Sequence, residues 1–399
     1  MLFDPARHEP LQALAWDEAR ARAAIHAIAS DTEQRLDSAY WPLHPLDAEG
    51  RDTSPAYPLY HGACGVLWGL RYLEAVGAVS LGRSHDRLVE PLLELTRTWL
   101  APYGPAQFGS YLLGETGILL LGYWMNPSED TARALQQRIH SNMENPTREL
   151  MWGSPGTMLV ALFLHELTRD VRWAALFRQT ARKLRSQLLW SDAHQCHYWT
   201  QDMYGETSTY LDAVHGFVAT AVPLIRGRDL LDAAEWADWQ QCIINTVSRS
   251  ATREGSLVNW RAWLYPPDHS RMLMQFCHGS PGFVVCLAGM PAAELDELLI
   301  AGGEATWAAG PLRKGSNLCH GTGGNGYAFL KLFNRTKDSL WLERARAFAM
   351  HGIAQTEAHA ARYGQLRYSL WTGDPGFAIY LWDCVRGKAA FPTLDVFVP

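Results

Sequence analysis

A Gly-x-x-Gly sequence followed by an apolar, helix-like run recurs seven times along this 399-residue chain. Such a repeat of about 40 to 60 residues limits the fold more than any other feature, because each repeat is one structural unit. Glycine permits close backbone approach at a helix start, where N–H groups and the positive end of the dipole are exposed. In the fourth copy, Ala219 replaces the second glycine. The first glycines are Gly62, Gly114, Gly153, Gly216, Gly279, Gly321 and Gly373.

The runs after these glycines are apolar on nearly every side, which is typical of buried helices. Amphipathic, charged segments with helical periodicity lie between them. No segment shows convincing strand alternation. The sequence therefore predicts an all-α fold, an α/α toroid of seven inner and seven outer helices, in which residues 1–399 form a single domain. The predicted outer helices are 11–38, 83–101, 129–143, 170–190, 229–252, 291–304 and 338–362.

The composition is that of an ordinary globular protein, with 48% hydrophobic and 19% charged residues. The formal net charge is −6 and no Lys/Arg run is present, so nucleic acid is not an expected partner. The apolar run Ile118–Leu121 is too short to span a membrane. The first residues lack the basic and apolar regions of a secretory signal. We therefore expect a cytoplasmic protein without a membrane partner.

Cysteine and histidine occur at equivalent positions of the repeats. His61, His215, His278 and His320 each precede a first glycine, and Cys277 and Cys319 precede two of these histidines. Thiolate and imidazole are the ligands that Zn²⁺ prefers. Free cysteine is also a common buried small residue, and helix starts can simply pack in a ring. The spacing alone leaves both interpretations open.

The sixth repeat, Leu318–Leu330, reads LCHGTGGNGYAFL and resembles the lanthionine synthetase C family. The resemblance covers essentially the whole chain, and four further segments are similar to its LanC-like branch: Glu149–Gly153, Gln275–Gly279, Tyr368–Trp371 and Phe391-Pro392. The resemblance implies an α/α toroid that holds one Zn²⁺ per chain. By motif, its ligands would be Cys277, Cys319 and His320, with His278 beside them or facing the substrate.

The family resemblance also implies a reaction, the addition of a thiol to dehydroalanine or dehydrobutyrine to form a thioether. Zinc would deprotonate the thiol. His215 matches the active-site histidine that would protonate the product, and Glu149 matches an acidic position. On the residues alone, His215 is equally explained as a helix-start histidine, and Glu149 as a capping or solvated side chain. Asp212 is a candidate to orient His215 or to cap the helix.

Several functions remain open. The thiol would come from glutathione or from a cysteine of the same peptide, and the latter would make the protein a lanthipeptide cyclase. The other partner would be a dehydroamino-acid-containing peptide or protein. The main alternative is a non-catalytic zinc-containing scaffold that binds glutathione or a partner. A glycan-processing barrel would need paired carboxylates, for which the inner-helix starts offer Glu115, Glu149 and Asp374. Cations for glutathione would come from Arg51, Arg261, Arg271, Arg313, Lys314 and Arg367.

Overall fold

The computed structural model describes residues 1–48, 54–104, 107–268 and 270–399. Within these ranges fourteen α-helices alternate between an outer and an inner layer, which confirms the predicted toroid; Arg51 lies outside the described residues. The outer helices are α1 (Glu18–Gln34), α3 (Leu92–Leu100), α5 (Glu129–Asn142), α7 (Val171–Ser186), α9 (Ala233–Ser250), α11 (Asp296–Ala309) and α13 (Ser339–Tyr363). The inner helices are α2 (Ala63–Ala75), α4 (Glu115–Met125), α6 (Ser154–Thr168), α8 (Phe217–Arg226), α10 (Ser280–Leu287), α12 (Thr322–Thr336) and α14 (Asp374–Arg386).

The inner helices form a closed ring. Each one contacts the next in chain order, α14 contacts α2, and the outer helix α1 packs against α14. The outer helices begin at side-chain caps where the chain supplies them. Asp17, Ser128, Asp170, Asp232 and Asp338 each accept a backbone N–H of the first turn. The amphipathic periodicity therefore predicted the outer helices, and these side-chain caps fix the residue at which several of them begin.

The loops that enter the inner helices are joined by backbone hydrogen bonds. We call the residue two positions before each first glycine a rim residue; these are Tyr60, Leu112, Met151, Val214, Cys277, Cys319 and Trp371. Backbone N–H groups of five rim residues donate to the carbonyl of the next rim residue at 2.8 to 3.2 Å, and these donors are Tyr60, Leu112, Cys277, Cys319 and Trp371. The bond from Trp371 to Tyr60 joins the seventh repeat to the first. Adjacent repeats are thereby held in a fixed register.

The second glycine of the motif is required by the same loops. A Cβ on Gly324 would lie 1.8 Å from the carbonyl oxygen of Leu318, six residues earlier. In all six copies that keep this glycine, the corresponding distance is 1.8 to 2.6 Å, far below van der Waals contact. The fourth repeat retains the loop despite its alanine: Ala219 donates its N–H to Asp212 at 3.3 Å, as Gly324 does to Asn317.

The first glycines of six repeats have extended backbone, with φ between −93° and −130°. Gly279 is the exception, with a positive φ of +119°. In α2, α4, α8, α12 and α14 the first helical N–H donates to a carbonyl seven residues earlier, at 2.8 to 3.1 Å. The expectation that these helix starts expose free N–H groups is therefore wrong, because the preceding loop satisfies them.

In the part of the chain that the structure describes, three short antiparallel hairpins lie in the connections and were not predicted. They are β1 (Leu189–Ser191) with β2 (Cys196–Tyr198), β3 (Gln201–Met203) with β4 (Glu206–Ser208), and β5 (Ala251–Glu254) with β6 (Leu257–Trp260). In the second hairpin Asp202 pairs with Thr207, which places Tyr204 in the turn. Strands of three or four residues are too short to show a two-residue period, so the pattern gave no signal.

The C-terminal tail that follows α14 fills the centre of the ring. Phe397 is fully buried and its carbonyl accepts the indole N–H of Trp68 on α2 (3.0 Å). The carbonyl of Leu394 accepts Arg226 on α8 (2.9 Å). The tail therefore ties inner helices together from within the ring. None of the helices in the described ranges is both long enough and apolar enough to cross a membrane.

The close approach at Gly324 predicts the effect of a single methyl group. We expect Gly324→Ala to lower the free energy of unfolding by about 1–3 kcal/mol, because the Leu318 carbonyl has to move. The matched control is Gly122→Ala in α4, whose Cβ would meet only Val89 at 3.9 Å; by helix propensity it changes stability by less than about 1 kcal/mol, towards greater stability. Urea denaturation measures both, and equal midpoints for the two variants would contradict the account.

Candidate metal centre and active site

Cys277, Cys319 and His320 come together at the rim of the ring. Their ligand atoms all lie within 4.8 Å of one another. Cys277 and Cys319 are rim residues of adjacent repeats, joined by the hydrogen bond from the Cys277 N–H to the Cys319 carbonyl (3.0 Å). Both thiols are buried and His320 is partly exposed. Two thiolates and an imidazole are a chemically suitable donor set for a metal ion, and three protein ligands leave a fourth position open for substrate.

Polar groups surround both sulfur atoms. The hydroxyl of Tyr60 donates to Cys319 Sγ at 2.9 Å, and Gln275 Nε2 donates to Cys277 Sγ at 2.9 Å. The hydrogen bond between the two cysteines, followed by contacts with His320 and Tyr60, holds the pKa of Cys319 well below its usual value despite burial. These contacts stabilise the thiolate form that metal binding requires. Neither Tyr60 nor Gln275 was predicted from the sequence to contact a metal donor.

His215 is held by Glu149. The imidazole Nδ1 lies 3.1 Å from Glu149 Oε2, and the carboxyl group is fully buried. Glu149 also accepts the backbone N–H groups of Met151 (2.8 Å) and Trp152 (2.5 Å). Burial alone would lower the pKa of His215, but the hydrogen bond and charge of Glu149 outweigh it and the pKa is raised. The imidazole therefore keeps its proton to a higher pH than usual, which suits a proton donor.

His278 has a second carboxylate partner, Asp212. Their Nδ1 and Oδ2 atoms are 2.8 Å apart, and Asp212 is buried. The other carboxylate oxygen accepts the backbone N–H groups of Val214 (3.0 Å) and His215 (2.7 Å). Asp212 therefore caps the backbone at His215, but the imidazole that it orients is that of His278. The prediction that Asp212 orients the His215 ring is therefore wrong.

The two pairs follow one rule of the repeat. Glu149 and Asp212 each stand four residues before a first glycine, and each contacts the histidine that precedes the first glycine of the next repeat. Gln275 and Asn317 occupy the same position in the next two repeats, where Gln275 contacts Cys277 and Asn317 accepts the N–H of His320 (3.0 Å). Aligning this position along the sequence would have singled out the four side chains as equivalent, but not the residue that each one contacts.

The fourth histidine of the series, His61, has a different environment. Burial lowers its pKa to about 4, so its ring is neutral at physiological pH. Its Nδ1 atom is buried and has no hydrogen-bond partner. Its ring instead contacts those of Tyr60 (5.6 Å between centroids) and Trp99 (5.4 Å). Equivalent positions in the repeat therefore carry chemically distinct histidines.

Two of the candidate cations lie near the metal donors. Lys314 and Arg367 line a small cavity that also includes Asn317, the partner of His320. Arg367 in addition donates to Asp47 at 2.7 Å. Arg271 is instead exposed and paired with Asp4 (2.9 Å). The structure thus distinguishes two of the predicted basic residues from the rest by their position.

The carboxylates needed for a glycan-processing site are already engaged elsewhere. Glu115 is paired with Arg97 (2.7 Å) and Arg138 (2.8 Å). Asp374 accepts the backbone N–H of Arg367 at 2.8 Å, and Glu149 holds His215. In the described residues each carboxylate of this set has partners of its own, which does not favour that alternative.

Comparison with known proteins agrees with this architecture. The model of the family described as lanthionine synthetase C-like protein matches residues 55–396. A Danio rerio protein named glutathione S-transferase LANCL1 is 34% identical over 134 residues, which are 32% of this chain and 33% of that protein. The Arabidopsis thaliana LanC-like protein GCL1 is 37% identical over 84 residues, 20% of this chain and 19% of its own. The matched segments span a third or less of these relatives' length.

Among solved structures, nisin cyclase superposes with a TM-score of 0.61 over 92% of this chain and 94% of its own, at 15% sequence identity. At that identity the likeness concerns the fold. The family model, in contrast, spans most of the chain and includes all three metal-donor residues and both carboxylate–histidine pairs. The chain therefore belongs to the lanthionine synthetase C-like family.

Proposed function

We propose that this protein is a zinc-dependent enzyme that adds a thiol to a dehydroalanine or dehydrobutyrine residue and so forms a thioether. The observation that carries this proposal is the Cys277–Cys319–His320 donor group together with two carboxylate-backed histidines from neighbouring repeats. We also propose that residues 1–399 form one domain, since the outer helix α1 packs against the last inner helix.

Zinc is the metal that the donor set favours, because two thiolates and one imidazole match its preferred ligands. When bound, it would lower the pKa of the substrate thiol and keep the sulfur as a nucleophilic thiolate. Tyr60 and Gln275 would hold the two protein sulfurs in place by donating hydrogen bonds to them.

In the proposed reaction the substrate sulfur forms a bond to Cβ of the dehydroamino residue, and the C=C electron pair moves towards the carbonyl. The enolate then takes a proton at Cα, so the net change is addition of S–H across the double bond without oxidation or reduction. His215 would donate that proton from Nε2, because its Nδ1 is held by Glu149. His278, held by Asp212, would contact and orient the substrate.

Glutathione is the thiol that we propose, with a peptide or protein as the electrophile. Lys314 and Arg367 support this choice, because cations beside Asn317 could receive the carboxylates of glutathione. The name of the Danio rerio relative mentions glutathione S-transferase. The second candidate is a lanthipeptide cyclase that uses a cysteine of the same peptide, which the nisin cyclase fold favours. A zinc-containing scaffold without activity is the remaining alternative, and an assay of thioether formation distinguishes it from an enzyme.

Removal of one donor tests the metal centre. We expect Cys319→Ala to lose most of its zinc, because two remaining donors do not hold the ion at a three-donor site. Cys286→Ala is the matched control, since Cys286 is buried on α10 outside the donor group and should leave zinc content unchanged. Elemental analysis of the dialysed proteins gives the stoichiometry. Full zinc in Cys319→Ala would refute the assignment.

The reaction itself is tested with a dehydroalanine peptide that contains one cysteine, incubated with the zinc-loaded protein in the presence and absence of glutathione. Glutathione transfer adds the mass of glutathione to the peptide. Cyclisation leaves the mass unchanged but removes the free thiol. Absence of both adduct and thiol loss would contradict an enzymatic function and leave the scaffold.

The proton donor is tested by the variants His215→Asn and Glu149→Gln. Loss of a general acid lowers kcat by about 10²–10⁴-fold, which we expect for His215→Asn at unchanged zinc content. Because the acid must be protonated, activity falls as pH rises through the pKa of His215. Glu149 raises that pKa, so Glu149→Gln should move the alkaline fall in kcat to lower pH. A pH–rate profile that Glu149→Gln leaves unmoved would exclude His215 as the acid.

A further inference from the structure

A cleft beside the metal donors is walled by an unbroken series of rings, of which the proposed mechanism uses only Tyr60. We call the six residues of this series the aromatic arc: Tyr60, His61, Trp99, Tyr103, Trp152 and Tyr204. Each ring contacts the next, with centroid separations of 5.6, 5.4, 5.8, 5.6 and 6.4 Å in that order. These separations are typical of favourable aromatic pairs. All six residues line one cleft of about 350 Å³.

The inner end of the arc reaches the sulfur of a metal donor. Tyr60 lines the cleft and its hydroxyl donates to Cys319 Sγ at 2.9 Å. The outer end is open to solvent, because Tyr103 is 47% exposed and Tyr204, in the β3–β4 turn, is 70% exposed. The Trp152 indole N–H donates to the Tyr204 hydroxyl at 3.0 Å and holds that end of the arc together. The cleft therefore leads from the surface to the sulfur of a candidate metal donor.

The wall of the cleft is also joined to the proposed proton donor. Met151 and Trp152 both line the cleft, and their backbone N–H groups donate to the Glu149 carboxylate. The same carboxylate holds His215. A molecule in the cleft thus lies against the groups that hold a candidate metal donor, Cys319, and the proposed acid, His215. The electrophile is the substrate that has to lie between these two.

The cleft differs in charge from the cavity that is lined by Lys314 and Arg367. Among the described residues that line the cleft, the one charged side chain is Asp47, and its carboxylate is engaged by Arg367 and Thr372. The imidazole of His61 is neutral, since burial lowers its pKa to about 4. An uncharged aromatic wall suits apolar and aromatic groups, whereas the carboxylates of glutathione need cations.

We propose that the aromatic arc binds the polypeptide segment that carries the dehydroamino residue, and that it selects segments with an aromatic side chain next to the reacting position. The segment enters at Tyr204 and Tyr103 and places its unsaturated residue near Tyr60. Aromatic rings of the peptide pack against those of the arc, while the anionic thiol approaches from the side of Lys314 and Arg367. This inference rests on the proposed function, because it assigns the electrophile to one side of the same site.

Binding is measured first without turnover. The probes are two capped neutral pentapeptides, Gly-Phe-Ala-Phe-Gly and Gly-Ser-Ala-Ser-Gly, in which alanine replaces dehydroalanine. Isothermal titration calorimetry of the zinc-loaded protein should give a Kd about tenfold lower for the Phe peptide, as expected for two aromatic contacts. The double variant Tyr103→Ala/Tyr204→Ala should weaken the Phe peptide about 5- to 10-fold and leave the Ser peptide unchanged.

The matched control is Trp190→Ala. Trp190 is 47% exposed, like Tyr103, but lies on β1 outside the cleft. It should bind both peptides as the unaltered protein does. A second assay uses the corresponding dehydroalanine peptides and the small electrophile N-acetyl-dehydroalanine amide with glutathione. The double variant should raise KM for the Phe peptide alone, without a change in kcat, zinc content or turnover of the small electrophile.

The outcomes separate this inference from the proposed function. Preferential binding of the Phe peptide that depends on Tyr103 and Tyr204 supports the peptide cleft even if no thioether forms, and in that case the proposed function fails alone. Turnover of every dehydroalanine compound without preference for Phe, or unchanged Phe-peptide binding by the double variant, overturns the inference and leaves the enzymatic function intact. Equal weakening by Trp190→Ala also overturns it.

Discussion

The backbone hydrogen bonds between rim residues are the interaction on which the remaining structure depends. They join the loops that enter neighbouring inner helices, and the bond from Trp371 to Tyr60 closes the ring between the last repeat and the first. Because Cys277 and Cys319 are rim residues of adjacent repeats, the bond between them brings two thiols together that are 42 positions apart in sequence. The candidate metal centre is thus a consequence of how the toroid is built.

The same repeat geometry also brings together the two carboxylate–histidine pairs. A side chain four residues before the first glycine reaches the histidine of the following repeat, and this happens twice with identical spacing, in Glu149–His215 and Asp212–His278. Both carboxylates are buried and also accept backbone N–H groups of their own loops. Several backbone N–H donors stabilise each buried carboxylate. The carboxylate in turn fixes the orientation of the histidine ring that it contacts. The orientation of both imidazoles and the stability of the loops therefore depend on the same side chains.

The surroundings of the site are asymmetric although the repeats are similar. Repeats one to three and the β3–β4 turn contribute the aromatic arc, whereas the loops before α12 and α14 contribute Lys314 and Arg367. A reaction between an anionic thiol compound and an uncharged peptide segment would use this difference, because each substrate meets a wall of matching polarity. Each wall adjoins one candidate metal donor, because Tyr60 contacts Cys319 and Asn317 contacts His320.

Glycine spacing and helical periodicity are local properties of the chain, and they were enough to predict fourteen alternating helices that close into a toroid, whereas the three metal donors were predicted from the resemblance to the family motif. Tertiary structure decided which carboxylate holds which histidine: Asp212 was considered for His215 but contacts His278. It also decided that the helix-start N–H groups are satisfied by the preceding loops, and it assembled the aromatic arc. These contacts join residues of different repeats or fold a loop back on itself. A local sequence period cannot predict them, because the side chains come close only when the ring closes.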